Sequence, residues 1–337
     1  MNETKHRSGS ALSRTEPRQK GKERSMSQSL PTGGTQRNPL AKLFQNERAY
    51  PYLLIVPSLL LIALLMFVPL FSVFKLSLEN FSMNQLYGRG FIGLKNFQDI
   101  LGNDPLFYRT IPVTVQWVVI EVLLQLVFGM IVALLLNRTF VGRALARAAM
   151  FIPWAVSGVL TTMLWLLIFN QHIGLLNDLL MKLGLIKQSV AWLANPGTVF
   201  GSVVLAELWR GIPFFAITLL AALQTIPVEV YESGKVDGCG PVRQFFAITL
   251  PFLKEAIVFS TLMRAIWEFN NIDMIFTMTN GGPVYLTTTL PIYMMQTAII
   301  EGNYGYGSAL AVIIFLILMI FTVTYLAMNK FGRSIDE

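Results

Sequence analysis

The sequence predicts an all-α integral membrane protein of six spans with both termini cytoplasmic, and three observations lead there. Hydrophobic residues make up 54% of the 337-residue chain and charged ones only 13%, about half the ~25% charge of a soluble protein. Six segments reach the roughly 20 mostly apolar residues that cross ~30 Å of hydrocarbon. Lys and Arg then fall unevenly on the loops those segments define.

The first candidate span is 52–74, interrupted only by Pro57, Pro69 and two serines. The second, 113–136, carries Glu121 and Gln125, and the third is 148–169. The fourth, 198–223, carries Glu207 and Arg210; the fifth, 256–278, carries Arg264, Glu268, Asn270, Asn271 and Asp273. The sixth, 306–328, has no charge. With the amino terminus inside, the cytoplasmic segments hold 18 Lys and Arg and the outer loops six. That bias places both termini in the cytoplasm.

Ten of the 26 basic residues lie in residues 1–50, with four acids. Most of the +7 net charge therefore belongs to one polar tail, which speaks against a nucleic-acid partner. Such a tail cannot bury a core and reads as disordered; it is also too long and polar for a secretory signal. It fits a topology signal better than a site for anionic lipid. Residues 51–330 make the membrane domain, and 331–337 a short cytoplasmic end. The single cysteine, Cys239, excludes a disulfide within the chain. Two histidines, His6 and His172, supply no metal site or histidine chemistry.

The outer loop 75–111 contains the apolar run Phe91-Ile92-Gly93-Leu94-Lys95-Asn96-Phe97, and the loop 170–197 a helical run from Leu175 to Leu183. The loop 227–251 is the most informative. Pro227 and Pro241 suit first helical turns, and Gly238 and Gly240 permit a sharp bend between them. Two short helices with a turn at 237–240 follow, the second carrying Val242, Phe245, Phe246 and Thr249 as an apolar stripe. A connection this long inside a compact chain is usually functional. An interfacial joint between two spans is the plainer alternative.

Charged residues inside spans usually face a partner or a water-filled path. Glu207, Arg210, Gly211 and Phe214 fall on one helical face, as do Arg264, Glu268 and Asn271. Gly211 and Pro213 predict a weakened helix in span four. Two readings are open: these faces line a solute cavity, or Glu207–Arg210 and Arg264–Glu268 are ion pairs that hold helices together. Glu121 and Gln125, one turn apart, read as helix–helix hydrogen-bonding residues. Cys239 has no neighbour to activate it and reads as a small turn residue.

Glu232, Gly238, Ile248, Leu250 and Pro251 stand at the spacing of the cytoplasmic signature of binding-protein-dependent ABC importer permeases, which the chain resembles over about 50–330. It differs in Glu232-Ser233-Gly234 for Glu-Ala-Ala and in Cys239 for Ala. The run from Phe91 to Phe97, Phe151-Ile152-Pro153-Trp154 and Thr279-Asn280-Gly281-Gly282-Pro283 are similar to segments of the maltose- or glycerol-phosphate-type sugar permeases, the last to the first permease type. The resemblance implies the type I importer permease fold in a bacterial or archaeal inner membrane, set in lipid. It implies a second permease in a heterodimer, two ATPase subunits carrying ATP and Mg, an external solute-binding protein and a carbohydrate substrate. Residues 227–251 would be the coupling loop, with Glu232, Ser233, Gly234, Asp237, Gly238, Cys239, Ile248, Leu250 and Pro251 meeting the ATPase. Glu207, Arg210, Gly211, Phe214, Arg264, Glu268 and Asn271 would lie where such permeases contact sugar.

The chain itself would be non-catalytic, since it has no Gly-rich run ending in Gly-Lys-Ser/Thr. A membrane-embedded enzyme would need a nucleophile–base pair that two outlying histidines do not supply. A secondary transporter would show repeats with breaks at matching places, whereas the sequence marks span four alone.

Overall fold

The computed structural model describes residues 50–83 and 90–329. The tail expected over 1–50, Tyr50 apart, and the end 331–337 lie outside the described residues. The chain divides into two compact units, 1–62 and 63–337. In the first, helix α1 (Tyr50–Ile62) is apolar and contains Pro57.

Among its described residues the second unit is mainly helical, with a two-stranded antiparallel pair, β1 (Glu79–Asn80) and β2 (Gly90–Phe91), and a bridge between Ser82 and Asn303. It opens with a π turn at Ala63–Phe67 and α2 (Val68–Ser77), and after β2 come α3 (Lys95–Asn103) and α4 (Pro105–Asn137). Next are α5 (Arg143–Ala155), α6 (Gly158–Ile168), α7 (Leu175–Lys182) and α8 (Val199–Leu223). Helix α9 (Val228–Val236) begins a hairpin that continues through α10 (Pro241–Gln244), a π turn and α11 (Leu250–Phe252). The chain ends in α12 (Lys254–Phe269), α13 (Asp273–Thr279), α14 (Leu290–Met295) and α15 (Tyr304–Met328).

Among the described residues, four segments are long and apolar enough to cross a membrane: Leu54–Ser77, Pro105–Asn137, Val199–Leu223 and Tyr304–Met328. They match predicted spans one, two, four and six. The expected third and fifth spans are not single helices. Helices α5 and α6 meet at 92°, where Val156 and Ser157 take extended ψ values of 137° and 139°, just after Pro153, which lacks an N–H to donate. Span five breaks at Asn270–Ile272, where the Asn270 side chain donates to the Ile266 carbonyl at 2.9 Å. Asparagine competes for backbone groups in this way and stops helices. The break also follows a 66° bend from Pro241–Phe252 into Lys254–Thr279.

Span four, expected to be interrupted at Gly211 and Pro213, is one helix of 25 residues with Pro213 inside it. Long contact with α4, the most extensive helix pair in the unit, holds it together, and neighbouring helices commonly let a membrane helix tolerate proline.

Three apolar clusters form the core. Trp117, Val203, Ala206 and Met274 belong to one; Met130, Phe215, Leu219 and Leu253 to a second; Phe107, Tyr293 and Leu310 to a third. Along α4, α8 and α12 the polar residues fall between the first two clusters. Many large apolar side chains point outward, among them Leu123 and Leu135 on α4 and Phe315 and Ile320 on α15, as a lipid-facing surface requires.

Asp104 ties three segments at one end of the bundle. Its Oδ1 caps α4 by accepting from the backbone N–H of Leu106 and Phe107, at 2.9 and 3.1 Å. Its Oδ2 accepts from the hydroxyls of Tyr293 on α14 and Tyr306 on α15, at 2.6 and 2.7 Å.

Candidate solute cavity and coupling hairpin

Helical spacing aims Glu207 and Arg210 of α8, one turn apart, to the same side as Arg264 and Glu268 of α12. Arg210 Nε and Nη2 both donate to the Glu207 carboxylate at 3.0 Å. Arg264 Nη2 bridges the helices, 2.8 Å from Glu207 Oε1 and 2.6 Å from Glu268 Oε1. From α4, Gln125 Nε2 donates to Glu121 Oε2 and to Glu268 Oε1, each at 2.9 Å, and its Oε1 accepts from Arg264 Nε at 2.5 Å. Asn271, at the helix break, donates to Glu268 Oε2 at 3.2 Å. The indole N–H of Trp117 donates to the Glu268 backbone carbonyl at 3.2 Å.

Three carboxyl groups thus meet two guanidinium groups where water is scarce: Glu121 and Glu207 are fully buried, Glu268 is 1% exposed and Arg264 6%. Such a cluster is stable only if nearly every polar atom finds a partner. Glu121 Oε1 is the exception, buried with none. A methyl on Gly158, at the α5–α6 break, would stand 3.3 Å from Arg210 Nη1, so that break makes room for the guanidinium.

The cluster forms one wall of a cavity of about 240 Å³, lined by Glu207, Arg210, Arg264 and Glu268, and by Trp267 and residues 270–273. Five of the seven expected substrate residues line it: Glu207, Arg210, Arg264, Glu268 and Asn271. Gly211 and Phe214 do not. Gly211 is buried against the Gln125 carboxamide, and Phe214 packs edge-on against Trp267, ring centroids 5.1 Å apart. The two expected ion pairs, Glu207–Arg210 and Arg264–Glu268, each lie within one helix, and the contact that joins helices is Arg264–Glu207; the same charges face a cavity. Asp273 is exposed and also contributes to the wall. Trp267 and Ile272 were not among the expected substrate residues, because nothing in a sequence distinguishes a side chain facing a cavity from one facing lipid. The cavity offers donors, acceptors and one indole ring, a combination that suits hydroxyl groups and the C–H faces of a glycoside.

The hairpin between α8 and α12 is the second candidate site. Pro227 caps α9 from outside rather than lying in its first turn, while Pro241 is the first residue of α10, as expected. Only one glycine of the turn needs its freedom: Gly238 has φ +76° and Gly240 an ordinary φ of −69°. Cys239 N donates to the Gly234 carbonyl at 2.8 Å, Gln244 Nε2 to the Cys239 carbonyl at 3.1 Å, and the Tyr231 and Thr249 hydroxyls meet at 3.0 Å. Gly234 is buried, and a methyl there would come within 2.8 Å of Ile248 Cδ1. Glu229, Glu232, Ser233, Val236 and Asp237 remain exposed around a shallow hollow of about 410 Å³. The second limb is not one regular helix but a π turn at Phe245–Thr249 between α10 and α11, and Val242 and Phe246 stay exposed.

Residues 125–336 match the family described as binding-protein-dependent transport system inner membrane component. The chain is 33% identical over 297 residues to the trehalose/maltose transport system permease protein MalF of Thermococcus litoralis, covering 88% of this chain and 99% of that one. It is 35% identical over 280 residues to the sulfoquinovosyl glycerol transport system permease protein SmoG of Agrobacterium fabrum, covering 83% and 90%. Its fold is similar to a chain of a bacterial ABC transporter involved in the import of the acidic polysaccharide alginate, with a TM-score of 0.75 at 19% identity over 88% of this chain and 100% of that one.

Proposed function

The chain belongs to the family of binding-protein-dependent transport system inner membrane components, and we propose that it forms half of the membrane path of an ATP-driven glycoside importer. It is a multi-pass membrane protein. Up to six spans result if each bent helix pair holds one; in this reading Lys254–Thr279 alone is the fifth, and the distribution of Lys and Arg supports cytoplasmic termini and a cytoplasmic hairpin. The partners in this reading are a second permease, two ATPase subunits that hold ATP and Mg, and an external solute-binding protein.

One observation supports the reading above the others. Helices α8 and α12, which supply the charged wall of the cavity, are the two helices that the 227–251 hairpin joins. A displacement of the hairpin by an ATPase would therefore move both cavity walls. Glu232 and Asp237 present acids to a basic partner surface, and Gly234 keeps the two limbs together. The relatives named for trehalose, maltose and sulfoquinovosyl glycerol support a glycoside as the solute. In a membrane-embedded hydrolase a carboxylate would have to be free as general base, whereas Glu207 and Glu268 each hydrogen-bond an arginine.

The test is a cysteine at Asp237→Cys in a Cys239→Ser background, crosslinked in native membranes. Capture of an ATPase subunit is expected, together with ATP hydrolysis that rises when a glycoside and its binding protein are added. Absence of any such adduct would overturn the coupling role, and an ATPase indifferent to every glycoside would overturn the substrate class.

A further inference from the structure

We infer that Gln125, which does not itself line the cavity, is the positioning residue that fixes its charged wall, and that position 211 is glycine to admit it. The inference rests on the solute-path reading above for its consequence, but not for its geometry.

Gln125 is fully buried, and its carboxamide is used on both sides. The nitrogen donates to Glu121 and Glu268, and the oxygen accepts from Arg264 Nε. No other side chain of this length combines two donors with an acceptor. Glutamate lacks the donors and would bring a fourth carboxyl group to the cluster. Asparagine falls one carbon short, and methionine makes neither bond.

The carboxamide lies directly on the backbone of α8. A β-carbon at position 211 would overlap its carbon, nitrogen and oxygen alike. Gly211 therefore serves α4 rather than the cavity. Arg264 has three partners: Gln125 through Nε, and Glu207 and Glu268 through Nη2. Removing the first leaves the guanidinium held through Nη2 alone and takes a donor from Glu268 Oε1, while Glu207 keeps its two bonds from Arg210. The wall is thus set from behind, by a residue on a third helix.

The experiment combines a substitution series with a double-mutant cycle. Gln125→Met should raise the apparent KM for the transported glycoside about tenfold or more, the worth of one hydrogen bond to a charged group, while lowering the maximal rate by no more than about threefold. Gln125→Asn should fall between Met and the native residue. A KM unchanged in Gln125→Met, with the loss confined to maximal rate or membrane yield, would overturn the positioning role.

The cycle is read by thermal melting of the purified permease, which requires no transport. Gly211→Ala alone should be strongly destabilising, whereas Gly211→Ala added to Gln125→Ala should shift the melting point little further. If the two substitutions add in full, Gly211 is not there for Gln125 and the inference fails. A glycoside-insensitive transporter with a non-additive cycle would overturn the solute-path reading and leave the contact standing.

Discussion

The charged cluster among α4, α8 and α12 and the hairpin of residues 227–251 are both polar and both unusual for a membrane chain, yet they treat their polar groups in opposite ways. The cluster turns its charges on one another: Glu207 and Glu268 each contact an arginine at 2.9 Å or less. The hairpin closes itself through backbone, amide and hydroxyl bonds and leaves Glu229, Glu232 and Asp237 exposed. Charges satisfied within the chain set geometry, and charges left outside it are available to a partner. Substitutions in the first region should therefore register as stability, and those on the hairpin's outer face as lost assembly.

The largest expected effect is Arg264→Met. It leaves Glu268 without an arginine in an apolar interior, while Glu207 keeps Arg210, and should cost about 3–5 kcal/mol, seen as a collapse in melting temperature and membrane yield. A variant that melted normally would break the comparison at its base. Next is Gly234→Val, which drives a branched side chain into Ile248; overpacking of this kind costs about 1–3 kcal/mol. Because it splays the hairpin limbs, uptake should fall further than melting does.

Gly238→Val forces a β-branched residue to φ +76°, a strain of about 1–2 kcal/mol. Its signature is a poorly formed turn and lost ATPase capture on a permease that still inserts. Asn271→Ala removes one hydrogen bond of 3.2 Å, worth about 1 kcal/mol, and sharpens the comparison because it should shift apparent affinity for the solute more than melting. The smallest stability change is expected of Glu232→Ala, within about 0.5 kcal/mol for an exposed site, with transport abolished nonetheless. A Glu232→Ala chain that still transports would deny the hairpin its partner.

Much of this was legible in the sequence and some was not, for physical reasons. Hydropathy located four of the six expected spans as single helices because a span's length is a local property. The 92° break at Val156–Ser157 was invisible, since neither residue is a strong helix breaker and Pro153 lies one turn earlier. The reverse occurred in span four, where Gly211 and Pro213 look like a break but packing on α4 carries the helix through. Helical spacing placed Glu207 with Arg210 and Arg264 with Glu268 and Asn271. It could not reveal that Arg264 bridges to Glu207, or that Gly211 turns toward Gln125, because periodicity names a face and not the neighbour opposite it. Of Glu121 and Gln125, both read as helix–helix hydrogen-bonding residues, Gln125 does donate to Glu268 across helices, whereas Glu121 bonds to Gln125 on its own helix. Its role as the hub needed the third dimension.

The Asp104 knot has a mechanical consequence. Helix α4 has 33 residues, about 50 Å of rod at 1.5 Å per residue. Its first turn is fastened through a single carboxylate to α14 and α15, and Leu134 and Asn137 near its last turn border a hollow shared with Tyr231 and Phe245 of the hairpin. A lever pinned at one tip sweeps widest at the other, and Gln125 sits about three-fifths of the way along it. Were α4 to turn as a rod about the Asp104 knot, a displacement at its hairpin end would reach Gln125 at about three-fifths of its amplitude.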